Sequence, residues 1–306
     1  MRVKSWLGVA LLGASAFVYA DHEAGLVEFR QGNFASAVHE WREAAERGDG
    51  ESQFALGRMF ETGSGVRESL GDAYKWYRLA ADNGIIDAQV RVAELFLSGR
   101  IENRGPEDAA EWLERAADSG HAAAQFQLGL MYLEGFGVRE DAAVAARRFE
   151  QAADQGHAPA QNNIGSLYEN GRGVDQDFSR AFEYFSLAAR QGDAMAQNNL
   201  GALHARGRGV ERNHAWAVFW FTTAARNGND VAKENIKASL SNLQSKQIAG
   251  SRVNIRSGAG TQHAPLTQLS RGERVYVLGA GDGWSQVYFE VQGEPHLGWI
   301  SSSLIQ

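Results

Sequence analysis

Cysteine is absent from the 306-residue chain. Its absence excludes disulfides, thiol nucleophiles and cysteine-based metal sites, and it leaves no thiol for a lipid anchor. Basic residues are in deficit, 30 against 37 acidic ones, for a net charge of −7. Without Arg2 and Lys4 the remainder carries −9, and residues 251–306 are charge-balanced, so the excess negative charge lies between them. An acidic chain without a basic patch argues against nucleic acid and against anionic membrane surfaces. No Gly-x-Ser-x-Gly, no His-Glu-x-x-His and no Ser/His/Asp set is present, so the reading is of no catalytic residues, no cofactor and no metal. The longest apolar stretch, Trp6–Val18, is too short and too promptly followed by charge for a membrane span. With Arg2 and Lys4 before it and Val18-Tyr19-Ala20 after it, it has the form of a secretory signal over residues 1–20, cleaved before Asp21. An uncleaved anchor is the alternative. Export implies a periplasmic protein with no stable membrane insertion after cleavage.

What is present is a period. Ala44-Ala45-Glu46-Arg47-Gly48 recurs as Ala80-Ala81-x-x-Gly84, Ala116-Ala117-x-x-Gly120, Ala152-Ala153-x-x-Gly156, Ala188-Ala189-x-x-Gly192 and Ala224-Ala225-x-x-Gly228, always 36 residues on. A fixed step of this size denotes stacked supersecondary units. Leu56-Gly57, Leu128-Gly129, Ile164-Gly165 and Leu200-Gly201 keep the same step, with Val92-Ala93 the deviant. So do the Gly-x-Gly-Val runs at Gly63, Gly135, Gly171 and Gly207, and an aromatic column through Tyr77, Phe149, Phe185 and Phe221 in which Leu113 is the exception. Helical periodicity predicts helix A over Ala124–Glu134 and helix B over Asp141–Asp154. The alanine pairs permit close helix approach. The closing glycine suits a left-handed helix terminus, Gly-x-Gly turns the chain between helices, and Pro159 fits a first helical turn.

The combined pattern, A-x-Q-x-x-(L/I)-G…G-x-G-V…W-Y-x-x-A-A-x-x-G, resembles the Sel1-like repeat, a relative of the tetratricopeptide repeat. The resemblance implies a mainly α fold, a right-handed α-solenoid of helix-pair repeats. Some members pair cysteines in each repeat; this chain must hold its repeats by packing alone.

Read in order, residues 21–48 form an N-terminal tetratricopeptide-like capping helix pair with a loop at Gln31-Gly32-Asn33, and 49–228 hold five repeats. The second repeat replaces Gly-x-Gly-Val with Gly99-Arg100-Ile101-Glu102, so its loop is expected to differ in conformation. Residues 229–249 read as a capping helix and linker, with helix over Asp230–Ile248 and Ile236, Leu240 and Leu243 on one face. From Gly250 the period becomes two. Val253-Asn254-Ile255-Arg256-Ser257-Gly258, then Val275-x-Val277, Gly283-Trp284 and Gly298-Trp299-Ile300 resemble a bacterial SH3 domain, a small all-β barrel over 250–306. A domain of that size has little core of its own, so docking on the terminal repeat helix is expected.

Three motifs resolve to structural roles. The Gly-x-Gly-Val loops follow helices and lack the third glycine and the Lys-Ser/Thr of phosphate loops. His121 and His157 share one repeat column and read as helix N-terminal flanks rather than metal ligands. Asp175-x-Asp177-x-Ser179 lacks the glycine and the glutamate of a calcium loop, so Asp177 is expected to cap a helix.

Function is expected on the groove face. If the repeats pack as tetratricopeptide repeats do, that face includes Phe126, Gln127 and Leu130, then Asn162, Asn163 and Glu169, then Asn198, Asn199 and Arg206. Asparagine amides offer both donor and acceptor to an extended peptide, or else to a neighbouring repeat. The reading is a non-enzymatic periplasmic adaptor that binds a protein or peptide of the envelope, with residues 250–306 contacting peptidoglycan or a second partner. A regulator of a cell-wall hydrolase system and a secreted factor binding a host protein are the alternatives.

Overall fold

A computed structural model describes residues 22–306; the expected signal segment lies outside these. The chain divides into two compact units, one ending at Gln151 and one starting at Ala152. The first holds helices α1 (22–30), α2 (Phe34–Glu46), α3 (Gly50–Thr62), α4 (Leu70–Asp82), α5 (Ile86–Leu97), α6 (Pro106–Asp118) and α7 (Ala122–Glu134). The division falls inside α8 (Ala142–Asp154). The second unit continues with α9 (Ala158–Asn170), α10 (Phe178–Arg190), α11 (Ala194–Arg206), α12 (His214–Arg226) and α13 (Val231–Leu240). Then come β1 (Ser245–Gln247), β2 (Val253–Arg256), β3 (Pro265–Leu269), β4 (Arg274–Gly281), β5 (Trp284–Val291) and β6 (Glu294–Ser301). The fold is the expected mainly α helix-pair solenoid with a small all-β domain.

One contact sets the spacing within each pair. The helix-A glycine faces the helix-B aromatic so closely that a Cβ on Gly57 would stand 2.4 Å from the Tyr77 ring, and one on Gly129 2.6 Å from Phe149. In the second unit the same contact joins Gly165 to Phe185 at 2.8 Å and Gly201 to Phe221 at 2.7 Å. Gly25 and Trp41 repeat it between α1 and α2. Each ring thus lies directly on backbone, and Tyr77, Phe149 and Phe185 are fully buried. The deviant second repeat obeys the same volume rule: Ala93 has a Cβ, and its partner is the smaller Leu113, both fully buried.

A polar contact joins each pair to the one before. The glutamine four residues before the helix-A glycine column is buried and donates Nε2 to a carbonyl near the C-terminus of the preceding helix B. These bonds are Gln53 to Ala45 (3.0 Å), Gln89 to Ala81 (3.3 Å) and Gln125 to Ala117 (3.0 Å), then Gln161 to Ala153 and Gln197 to Ala189 (both 3.1 Å). Each of these carbonyls also accepts from the terminal glycine N–H of its own helix end, as Ala45 O does from Gly48 N at 3.0 Å and Ala153 O from Gly156 N at 2.9 Å, so the glutamine takes the second lone pair. The glutamine oxygen is then claimed by a side chain 30 residues on, as Asn83 donates to Gln53 at 2.8 Å, Gln191 to Gln161 at 2.8 Å and Asn227 to Gln197 at 3.0 Å. In the second repeat that position is Ser119, which bonds to Arg115 O instead, and the buried Gln89 Oε1 has no partner.

The terminal glycines take positive φ, 96° at Gly48 and 85° at Gly84 for example. Gly-x-Gly also needs its second glycine for space: a Cβ at Gly65 would lie 2.4 Å from the backbone of Phe34, and one at Gly209 2.1 Å from Phe178 O. Ile101 occupies this column in the second repeat, so the loop cannot follow the others. Gly99 keeps the left-handed conformation of the first glycine (φ 66°), the second left-handed residue is Asn103 (φ 57°), and α5 is one residue shorter than α3 or α7.

The expected helix over Asp230–Ile248 stops at Leu240. The reason is that its apolar residues serve two cores. Ile236, Leu240 and Leu243 pack on α12, whereas Ile248 is fully buried with Val253, Ile255, Val275, Val287, Phe289 and Ile300. Residues 245–247, read as part of that helix, are strand β1. The sheet is antiparallel, in the order β1-β4-β5-β6-β2-β3, and Gln247 exchanges both backbone hydrogen bonds with Gln306. The expected docking is present. Tyr276, Leu278, Tyr288 and Leu297 pack against the cluster of Val218, Phe221, Ile236 and Leu240, and Lys233 Nζ reaches Glu294 at 3.2 Å.

Gly129→Ala should lower the urea midpoint, at a cost of about 1–3 kcal/mol for overpacking. Combining it with Phe149→Leu, which copies the Ala93–Leu113 pair, should recover part of the loss. Ser119→Asn should raise the midpoint, adding about 1 kcal/mol of stability by giving Gln89 Oε1 its missing donor.

Candidate functional site

The A helices α3, α7, α9 and α11 each have a side-chain-capped N-terminus, whereas α5 begins at Ile85 without one. Asp49 accepts from Ser52 N at 2.8 Å and Asp193 from Ala196 N at 2.7 Å. His121 and His157 hold the same position, accepting through Nδ1 from Ala124 N (3.1 Å) and Ala160 N (3.3 Å). Burial lowers the pKa of His157, which favours the neutral ring that this bond requires. Both histidines are helix caps, as expected, and no group of metal-ligating side chains occurs among the described residues. Asp177 likewise caps α10, accepting from Ser179 N and Arg180 N at 2.9 and 3.0 Å.

In the first unit α7 carries three of the expected groove residues. Phe126 is half-buried with its ring centroid 5.7 Å from that of Phe149, Leu130 is half-buried, and Gln127 Oε1 is buried without a hydrogen-bond partner. The A-helix face of that unit also holds a charged cluster that the sequence reading did not pick out. Arg91 Nε donates to Glu61 at 3.0 Å, Tyr77 Oη donates to Glu61 at 2.8 Å, and Arg100 approaches the same carboxylate at 3.6 Å. Burial pulls the Glu61 pKa upward, but the hydrogen bonds from Arg91 and Tyr77 outweigh it and hold the carboxyl below its ordinary value. Arg100 comes from the irregular second loop.

In the second unit the expected residues meet one another. Asn199 Nδ2 donates to Asn162 Oδ1 at 3.0 Å, and Asn235 Nδ2 donates to Asn198 Oδ1 at 2.8 Å. Two amide bridges therefore run from α9 to α11 and from α11 to α13. Glu169 and Arg206 form an ion pair at 3.6 Å on the same two A helices, α9 and α11. Asn163 is separate, bonding back to Pro159 O of its own helix at 2.9 Å. Asn162 is 7% exposed, so its bridge is a largely buried one. Each bridge uses one donor and one acceptor, which leaves the other half of each amide open. Asn235 was missed although it lies one period after Asn199, because the glycine and alanine columns stop before α13.

In the second unit the site is a set of amides and one ion pair along α9, α11 and α13.

The Sel1 repeat description matches residues 50–85, 86–121, 122–157, 158–193 and 194–229, more than half of the chain. The chain belongs to the Sel1 repeat family. The description of the bacterial SH3 domain matches residues 251–306. A Sel1 repeat protein from Oxalobacter formigenes is similar in structure, at 26% identity and a TM-score of 0.62, over 71% of this chain and 87% of that one. So is c5321, a protective antigen of uropathogenic Escherichia coli with an SLR fold, at 26% identity and a TM-score of 0.50, over 74% of this chain and 57% of its own. A comparison with curated proteins gave no match. Sel1 repeats are protein-interaction scaffolds, typically without catalytic activity, and bacterial SH3 domains are associated with cell-wall binding. Among the described residues no helix is long and apolar enough to cross a membrane.

Asn199→Ala strands the acceptor of Asn162 and should cost about 1–3 kcal/mol in chemical denaturation. Asn163→Ala, which removes only a bond within its own turn, should stay within about 0.5 kcal/mol of the parent.

Proposed function

We propose that this Sel1 repeat protein is a non-enzymatic periplasmic adaptor. Its A-helix face binds a protein or peptide of the envelope, and its SH3-like domain contacts peptidoglycan or a second partner. The observation that carries the reading is the pair of amide bridges, Asn162–Asn199 and Asn198–Asn235. Bridged amides are held in one orientation while keeping a donor and an acceptor for a ligand backbone, so less ordering is required on binding. Asn163, Glu169 and Arg206 flank them on the same A helices. The form of residues 1–20 supports export, and the domain at 251–306 supports a wall contact.

A photo-crosslinking residue placed at Asn163 should trap one defined envelope protein in living cells, whereas the same group at Glu183, on helix B, should not. Equal labelling from both positions, or none from Asn163, would overturn the assignment of the face. The full chain should also co-sediment with purified sacculi, and a chain ending at Leu243 should not.

A further inference from the structure

The B helix of the last repeat is unlike the others. Where α10 has Arg180, Glu183 and Tyr184, α12 has Trp216, Phe219 and Trp220 at the same columns. Trp216 is 50% exposed. It is nonetheless held firmly: the His204 ring stacks behind it at 6.1 Å and 23°, and the Phe219 ring meets it edge-on at 5.5 Å and 81°. His204 is itself 7% exposed, its Nδ1 has no partner, and burial lowers its pKa, so it backs the indole as a neutral ring. Phe182 closes the far side of His204 at 5.5 Å. A half-exposed indole fixed in this way is a platform.

The platform forms one wall of a notch of about 220 Å³ between α12 and the barrel. The facing wall is β4 and β5, where Val277 pairs with Val287 but Gly279 with Gln286, so Leu278 is the extra residue of a β-bulge. The bulge packs Leu278 against the α12 cluster and leaves Gly279 beside open space, with no atom within 4 Å of where a Cβ would be. Bulges of this kind re-aim side chains and recur beside sites. Two amides edge the notch. Asn213 uses Oδ1 to cap α12 through Trp216 N at 3.0 Å, which leaves Nδ2 unused, and the Gln286 side chain makes no hydrogen bond to the protein. No charged side chain lines it.

We infer that this notch is a saccharide subsite, which takes one N-acetylated hexosamine ring of a glycan strand between the last repeat and the SH3-like domain. The inference rests on the cell-wall reading above and makes it specific. A pyranose has an apolar C–H face that lies flat on an indole and a rim of hydroxyls and an acetamido group that need neutral donors and acceptors. The notch supplies one aromatic face, the Asn213 donor and both halves of the Gln286 amide, and it offers no charge to an ionic ligand. Its volume admits one ring, whereas a proline-rich peptide needs successive aromatic grooves. Neither domain contains the site alone: α12 supplies the indole and Asn213, and the barrel supplies Gln286 and Gly279.

The test uses the full chain and tetra-N-acetylchitotetraose. In NMR spectra the indole N–H signal of Trp216, identified by its loss in Trp216→Phe, should shift on titration. Trp216→Ala and Gln286→Leu should each weaken binding at least tenfold while the melting profile stays near that of the parent. No shift, a shift that both variants retain, or a shift given only by a proline-rich peptide would overturn the subsite. Sacculus co-sedimentation separates this from the wider reading. If Trp216→Ala sediments as fully as the parent, the notch is refuted as the wall contact while the adaptor stands. If the oligosaccharide binds but no form sediments, the subsite is upheld and the wall assignment fails.

Discussion

An aromatic ring resting on a glycine Cα governs the geometry of each repeat. Because no Cβ intervenes, the two helices of a pair approach until ring meets backbone, and dispersion across that flat contact is gained over the whole ring. The separation of the pair then fixes where its alanine-lined ends meet the next A helix. It also fixes whether a glutamine on that helix can reach a carbonyl of the helix before. Ala93 facing Leu113 shows that the constraint is one of summed volume rather than of residue type. The glutamine bonds are built on this frame. They give helix-end carbonyls that already accept from the terminal glycine a second donor from the next helix, so in each unit the stack has a register as well as a driving force.

Much of this was legible because it repeats. A column of glycine, alanine or aromatic residues with an unbroken step of 36 residues can be read without coordinates, and helices α7 and α8 lie within two residues of where periodicity put them. The glutamine relay was not legible. Its partner lies 30 residues away at the C-cap of another helix, and the residue there varies among asparagine, glutamine and serine, so no single residue type marks it. The end of the array was misread for a different reason. Leu243 and Ile248 continue an apolar helical spacing, yet one closes the repeat core and the other the barrel core. Periodicity reports that residues are buried, not in which core.

The face expected to bind a partner illustrates the same division. Position relative to the helix-A glycine singled out Asn162, Asn198 and Asn199, but that Asn162 bridges to Asn199 and Asn198 to Asn235 was not available from spacing. The bridges make the two roles compatible. An asparagine amide has two donor hydrogens and an acceptor with two lone pairs, and one bridge leaves most of that capacity unspent. A free asparagine would lose rotamer entropy on gripping a ligand; a bridged one has already lost it on folding.

The junction with the barrel decides what kind of adaptor this can be. Between Leu240 and Ser245 only four residues intervene, Leu243 is packed, and β1 is at once hydrogen-bonded into the sheet. That is too short for a flexible tether, whose reach grows with the square root of its length. The barrel is seated on α12 and α13 by apolar side chains from β4, β5 and β6 and by the Lys233–Glu294 pair. It covers the end of the array as a terminal repeat must be covered, since without it the apolar cluster of α12 and α13 would lose Tyr276, Leu278, Tyr288 and Leu297. The same contacts fix the barrel's orientation toward the amide bridges on α9, α11 and α13. Two partners engaged at these surfaces would therefore be held at a set distance and angle. In a flexibly tethered pair the second contact gains only from raised local concentration; in a rigid one it also depends on geometry, and partners whose spacing does not match are rejected.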